Sequence, residues 1–147
     1  MADFVILVTG SRTWRDRKVL WDAMDQAFAE GAVALKGDDD WRVMIRHGAC
    51  PKGADAMAAE WVRIRKMIWG ERLAEDRCPA NWGKYGRRAG PIRNGLMVDA
   101  GADLALAFLM DCFSPACSPV PHYSHGAGSC ASLAAKARIR TRRFTAS

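Results

Sequence analysis

Short apolar runs, each closing on a turn and each followed by helical periodicity, constrain this chain more than any other feature. Phe4 to Val8 is the first run, and it stops at Thr9-Gly10-Ser11-Arg12. An apolar run without alternation predicts a strand covered on both faces. Asp16 is placed to cap a helix reaching about Glu30. Its stripe is Leu20, Met24 and Phe28, with Val19, Ala23 and Ala27 beside it, and Gly31 as its stop. Val43 to Arg46 predicts a second strand ending in His47-Gly48. Gly53 opens a second helix with Met57, Trp61, Ile64 and Ile68 on one side. Residues 71–78 predict a more polar strand at a sheet edge, ended by Pro79. Residues 84–100 predict a third helix, with Gly90-Pro91 marking a kink or late start and Gly101 as C-cap. Asp103 to Phe108 reads as a strand, Ser129 to Ala137 as a short helix and Ile139 to Phe144 as a last strand. An irregular insert rich in Pro, Ser and Cys fills about 111–123.

This β-α-β-α-β-α-β-α-β order, without internal repeat, predicts one Rossmann-like, three-layer α/β domain over residues 1–147. Its five-stranded sheet is expected to be mostly parallel, because strands joined through helices need right-handed crossovers. A length of 147 residues suits one core. With 50% hydrophobic and 26% charged residues, the chain is excluded from the disordered and low-complexity classes. No apolar run approaches the ~18 residues that cross a bilayer. Met1-Ala2-Asp3-Phe4 lacks the basic start of a secretion signal. The five cysteines, odd in number and irregular in spacing, predict a reducing cytoplasm over a disulfide framework. Residues 1–75 hold 12 Lys/Arg and 12 Asp/Glu, so the net +6 lies in residues 76–147. A basic half of this kind suits nucleic acid, a small polyanion, or simply a solvated surface.

In open parallel sheets, ligands bind beyond the carboxyl ends of the strands. The first such end is Gly10-Ser11-Arg12: a close-approach glycine, a hydroxyl and a planar cation suited to phosphate. A plain turn with a solvated arginine is the alternative. The second is His47-Gly48-Ala49-Cys50-Pro51-Lys52-Gly53-Ala54-Asp55. It leads a glycine-bearing loop into a helix N-terminus, where free N–H groups and the helix dipole favour an anion. It matches neither GxGxxG nor the P-loop. Asp55 reads either as a dipole complement or as a ligand for a ribose hydroxyl, and His47 either as a structural hydrogen-bonder or as a site residue. Trp82 and Tyr85 either stack on a base or close the core, with core closure favoured for Trp82. Arg93 and Asn94 pair a phosphate clamp with a reader of base or sugar edges. Gly126, Gly128 and Ser129, in the run 124–129, repeat the anion-loop pattern before the last helix. Together these loops predict a site for a phosphate-bearing ligand.

No motif calls for a cofactor. Cys112, Cys117, His122 and His125 run as C-x4-C-x4-H-x2-H, which has zinc ligand types at wide spacing, and unligated cysteines are the favoured reading.

Several stretches match, in motif order over about residues 4–144, the YspA/YpsA-related branch of the SLOG superfamily. They are Gly10-Ser11-Arg12 with Trp14 and Asp16, His47-Gly48 with Gly53-Ala54-Asp55, and Pro79-Ala80-Asn81-Trp82. Gly90-Pro91-Ile92-Arg93-Asn94 with Met97 and Gly101-Ala102-Asp103-Leu104 complete the set. The chain therefore resembles this Rossmann-like group, found in bacteria and phages, whose relatives include the DprA/Smf proteins and the LOG phosphoribohydrolases. The resemblance implies a nucleotide or nucleotide-derived ligand, with Gly10, Ser11, Arg12, Asp55, Arg93, Asn94 and the 126–129 loop lining its pocket. It also implies helix-mediated pairing into a homodimer, for which Trp21, Trp61 and Trp69 are candidates, at least two of them being expected in the core.

One departure bears on activity. LOG-type enzymes carry Pro-Gly-Gly-x-Gly-Thr-x-x-Glu at the last loop, whereas Ser132 stands here where the glutamate would be. A serine supplies no negative charge to an oxocarbenium-like centre. The expectation is binding without fast hydrolysis, with Asp55 or Asp16 as the only replacements in sight. The rivals are a nucleotide N-glycosidase and a DprA-like nucleic-acid binder using the basic run Lys136-Ala137-Arg138-Ile139-Arg140-Thr141-Arg142-Arg143.

Overall fold

A computed structural model describes residues 2–111 and 125–145, with the side chains of 125–127 outside the description. Five strands form one sheet: β1 (Ala2–Gly10), β2 (Trp41–His47), β3 (Leu73–Arg77), β4 (Leu104–Leu109) and β5 (Thr141–Thr145). The order is β3-β2-β1-β4-β5, and every pairing is parallel. The chain thus winds outward from β1 to β3, then returns to the other side of β1 for β4 and β5. The reversal between β1 and β4 opens a crevice at their carboxyl ends.

Helices cover both faces: α1 (Arg17–Ala34) and α2 (Gly53–Trp69) on one, α4 (Ala89–Asp99) and α5 (His125–Lys136) on the other. A one-turn helix, α3 (Trp82–Tyr85), precedes α4 through a tight turn at 86–88. Side chains alternate between the two layers. Ile6 and Val8 meet α1 and α2, while Leu7 and Ala105 meet Met97, Val98, Cys130 and Ala134. All six residues of β4 are buried, as a central parallel strand requires. Edge strand β3 is more polar, as its sequence predicts.

Several boundaries differ from the sequence reading, each for a physical reason. Asp16 does cap α1, its Oδ1 accepting the Val19 N–H at 3.1 Å. Gly31, however, does not stop that helix. It lies inside α1 on the buried face that runs through Leu20, Met24, Ala27 and Phe28. A Cβ there would come within 2.7 Å of the Phe4 ring and 3.0 Å of Val43. The glycine is a packing contact between helix and sheet. Helix α2 rests on Ala54, Ala58, Trp61 and Val62, while Ile68 is exposed. The small residues let the helix axis approach the sheet, a signal that a search for large apolar residues passes over. Trp61 is core and its Nε1 donates to Asp25 at 2.9 Å. Trp21 is half-buried between the Arg17 and Arg65 guanidinium groups, and Trp69 is partly exposed against Phe28. The long third helix begins late, at Ala89, consistent with Pro91 in its first turn. Gly101 follows its C-cap at φ +84° and donates to Val98 O.

Helix α5 starts at His125, so Gly126, Gly128 and Ser129 stand in its opening turns and not in a preceding loop. In the basic run 136–143, Arg142 is held by Glu30 through two bonds of 2.5 and 2.6 Å. Cys112, Cys117 and His122 lie outside the described residues, as does the side chain of His125. No cluster of metal-ligating side chains occurs among the described residues. None of their helices is long and apolar enough to cross a membrane.

Candidate functional site

A cleft of about 1170 Å³ opens where β1 and β2 end and α2 and α4 begin. It exceeds the roughly 300–1,000 Å³ of ordinary ligand pockets. Gly10, Ser11, Arg12, Gly48, Asp55, Arg93, Asn94 and Ser129, all singled out in sequence, line it together.

The turn after β1 is the pivot. Ser11 is buried and its groups stitch three elements: its N–H donates to Phe108 O at 2.9 Å, and its Oγ accepts from Met110 N at 3.0 Å. Its carbonyl accepts from Ala54 N, at the start of α2, at 3.2 Å. Ser11 therefore holds the cleft floor. Gly53, at φ +67°, lets α2 abut this turn, since a Cβ would collide with the Ser11 carbonyl and lie 2.6 Å from the Arg12 backbone. Gly10 serves the same closeness, facing Ala54 and Phe108.

The loop from His47 to Asp55 is not the open anion nest that its glycines suggest. His47 is fully buried and lies outside the cleft lining. Its Nδ1 accepts from Ala49 N at 3.0 Å and its Nε2 faces Glu75 Oε2 at 2.7 Å. A ring nitrogen that accepts a backbone N–H carries no proton, so these bonds fix the Nε2–H form. His47 thereby holds Ala49 at φ +57°, a conformation rare for a residue with a Cβ. The N–H groups of Cys50, at 3.2 Å, and Gly48 point to the Asp55 carboxylate. The donors offered to an external anion are thus taken by an internal one.

Burial pushes the Asp55 carboxyl above its ordinary range, and the opposing effects of His47, the two N–H groups and Arg93 do not cancel it. The Arg93 guanidinium lies against the cleft but is anchored. Nη1 donates to Gly48 O at 2.5 Å and to Cys78 O at 3.3 Å, and Nε donates to Asn94 Oδ1 at 2.9 Å. Gly48 sits between the two charged groups. A Cβ there would meet Arg93 Nη1 at 2.5 Å and Asp55 Oδ2 at 3.0 Å.

Arg12 is the exposed cation, 5.9 Å from the Trp82 ring centre. Trp82 itself is 50% exposed and lines the cleft, so it does not close the core as the sequence reading favoured. Lys52, exposed before α2, adds a second cation at the rim. Lys52 carried no separate signal in the sequence, being one residue of a loop read for its glycines. Buried Arg46 was missed as well. It pairs with Asp76 at 2.7 Å and donates to Gly101 O at 2.6 Å, tying β2 and β3 to the end of α4. Burial pushes the thiols of Cys78 and Cys130 up, which favours their protonated forms.

No solved structure matches the chain. The gene 61 protein of Mycobacterium phage D29 is similar, with 36% identity over 108 residues that span 70% of this chain and 74% of that protein. A family model matches residues 4–85, which carry the Gly10-Ser11-Arg12 turn, the His47–Asp55 loop and Trp82, while the Arg93 motif lies beyond it. On the family match, which covers more than half of it, the chain belongs to the YspA, cpYpsA-related SLOG family.

Proposed function

We propose that this protein binds a nucleotide or nucleotide-derived, phosphate-bearing ligand in the cleft at the strand carboxyl ends. The observation that carries the reading is the cleft's paired chemistry. An exposed tryptophan under an exposed arginine offers a stacking face beside a cation. A phosphate would meet Arg12, Lys52 and the start of α5, where Ser129 lines the cleft and Gly126 and Gly128 precede it. Arg93 and Asn94 complete the wall, Arg93 acting through a guanidinium already oriented by Gly48 and Cys78. Family membership supports a nucleotide-related role of the same kind. The setting is a reducing cytoplasm, which suits the free thiols of Cys50, Cys78 and Cys130.

The reading is binding, with slow turnover at best. Ser132 is exposed on α5, and a hydroxyl there cannot ionise as a carboxylate does. Calorimetry with ribonucleotides tests the reading. Arg12→Ala and Trp82→Ala are each expected to weaken binding about ten- to hundred-fold, from loss of a charge-assisted contact and of a stacking face. Arg93→Lys is expected to fall short of wild type, because an ammonium lacks the bidentate fork. Unchanged affinity in both Arg12→Ala and Trp82→Ala, with the fold intact, would move the ligand elsewhere.

A second reading, single-stranded nucleic acid, has one specific observation behind it. Residues 81–88 are all exposed and carry Trp82, Lys84, Tyr85, Arg87 and Arg88 without an acidic residue. Aromatics interleaved with cations are the pattern of a stacking track. An affinity for single-stranded DNA that falls steeply with salt would favour it.

A further inference from the structure

Asp55 is an anomaly among the acids of this protein. It is 7% exposed and is the one carboxylate among the buried polar residues described. Asp25, Glu30 and Asp76 are each held by an arginine. No described Lys, Arg or His side chain forms an ion pair with Asp55. Its bonds come from the main-chain N–H groups of Cys50 and Gly48. His47 and Arg93 act on it only through space, and a buried carboxylate that no cation bonds directly is costly; such groups gather at working sites.

The surroundings narrow what the carboxylate awaits. Arg12, Lys52 and Arg93 also line the cleft, and their charge repels a cationic partner. An anion is repelled by Asp55 itself. What remains is a neutral donor, and a carboxylate with two oxygens suits two adjacent hydroxyls. Gly48 keeps the approach open, since a Cβ would press on both Oδ2 of Asp55 and Nη1 of Arg93.

We propose that Asp55 reads the sugar: it accepts hydrogen bonds from the 2′- and 3′-hydroxyls of a ribose and so selects ribonucleotides over 2′-deoxyribonucleotides. The inference rests on the nucleotide reading above. A purely structural Asp55, complementing the dipole of α2 from its first turn, predicts no such selection.

The test is calorimetry on the full chain with matched sugar pairs. The probes are ribose 5-phosphate and 2-deoxyribose 5-phosphate, then the four ribonucleoside 5′-monophosphates and their 2′-deoxy counterparts. In wild type the ribo form is expected to bind about ten- to hundred-fold tighter, the worth of one hydrogen bond to a charged acceptor. In Asp55→Asn that ratio is expected to fall to within about threefold, the deoxy forms losing less than the ribo forms because only their 3′-hydroxyl met the carboxylate. Asp55→Glu, which keeps the charge, is expected to retain part of the preference, and it serves if the Asn variant fails to fold. Equal wild-type affinities for ribo and deoxy probes would overturn the inference and leave the nucleotide reading standing. So would a preference that survives Asp55→Asn, or an equal loss for both sugars, which would make Asp55 structural. Failure of every probe to bind would overturn the nucleotide reading and this inference with it.

Discussion

Replacing Asp55 by asparagine is expected to stabilise the ligand-free protein at neutral pH. The carboxylate is 7% exposed and lacks an ion-pair partner among the described residues. Its desolvation penalty is several kcal/mol. His47, two main-chain N–H groups and Arg93 act against it, yet the carboxyl remains above its ordinary range, so the balance stays unfavourable to the charge. Asparagine keeps an acceptor for one N–H and removes the charge, while its NH₂ needs a partner of its own. The net gain is about 1 kcal/mol, or a rise in Tm of about 2–4 °C for a chain of this size. The sign with pH is specific. The native state holds the Asp55 proton more tightly than the unfolded chain, whose carboxyl titrates near ~3.9. Wild type therefore loses stability as pH rises from that range through the raised native value. The variant lacks this loss, so the gap between the two widens with pH and then levels. Urea unfolding of both proteins from pH 4 to 8 measures it. A variant less stable than wild type at pH 7, or a gap that narrows as pH rises, would refute the account of Asp55 as an uncompensated charge.

Two further predictions concern the scaffold. Gly31→Ala should destabilise by about 1–3 kcal/mol despite alanine's helix propensity, because the new methyl presses on Phe4 and Val43, and Phe4→Leu in the same chain should recover part of the loss in urea melts. Arg142→Gln should cost about 0.5–1 kcal/mol, a modest figure because both partners are partly solvated. The hydrogen bond from Arg142 holds the Glu30 carboxyl below its ordinary range. This contribution is therefore present above the unfolded value of ~4.3 and lost as pH falls through the native one, and unfolding midpoints of the two proteins should converge in acid.

Much of the architecture is legible from residue order alone. The unbroken runs at Phe4–Val8 and Asp103–Phe108 demand strands covered on both faces, and the helical stripes between them supply the cover. Asp16, Gly53 and Gly101 act at helix ends through local chemistry, which a sequence displays directly. The strand ends also give the position of the cleft, because parallel sheets bind ligands there. What each residue does within the cleft is another matter. Ser11 and His47 look like site residues in sequence, yet the Ser11 hydroxyl holds a backbone N–H 99 residues away and the His47 ring bridges the Ala49 N–H to the Glu75 carboxylate. Gly31 looks like a stop and is a contact, because its meaning depends on Phe4 across the layer. Trp82 looks like core and stands exposed beside Arg12, its neighbour only after β1 and β3 lie in one sheet. Most of all, the loop before α2 reads in sequence as a free anion site, until Asp55 folds back onto Gly48 and Cys50. Composition and periodicity specify which faces must be buried. Which donor meets which acceptor is decided only when distant segments are packed together, since a hydrogen bond is a matter of a few tenths of an ångström that no one-dimensional pattern records.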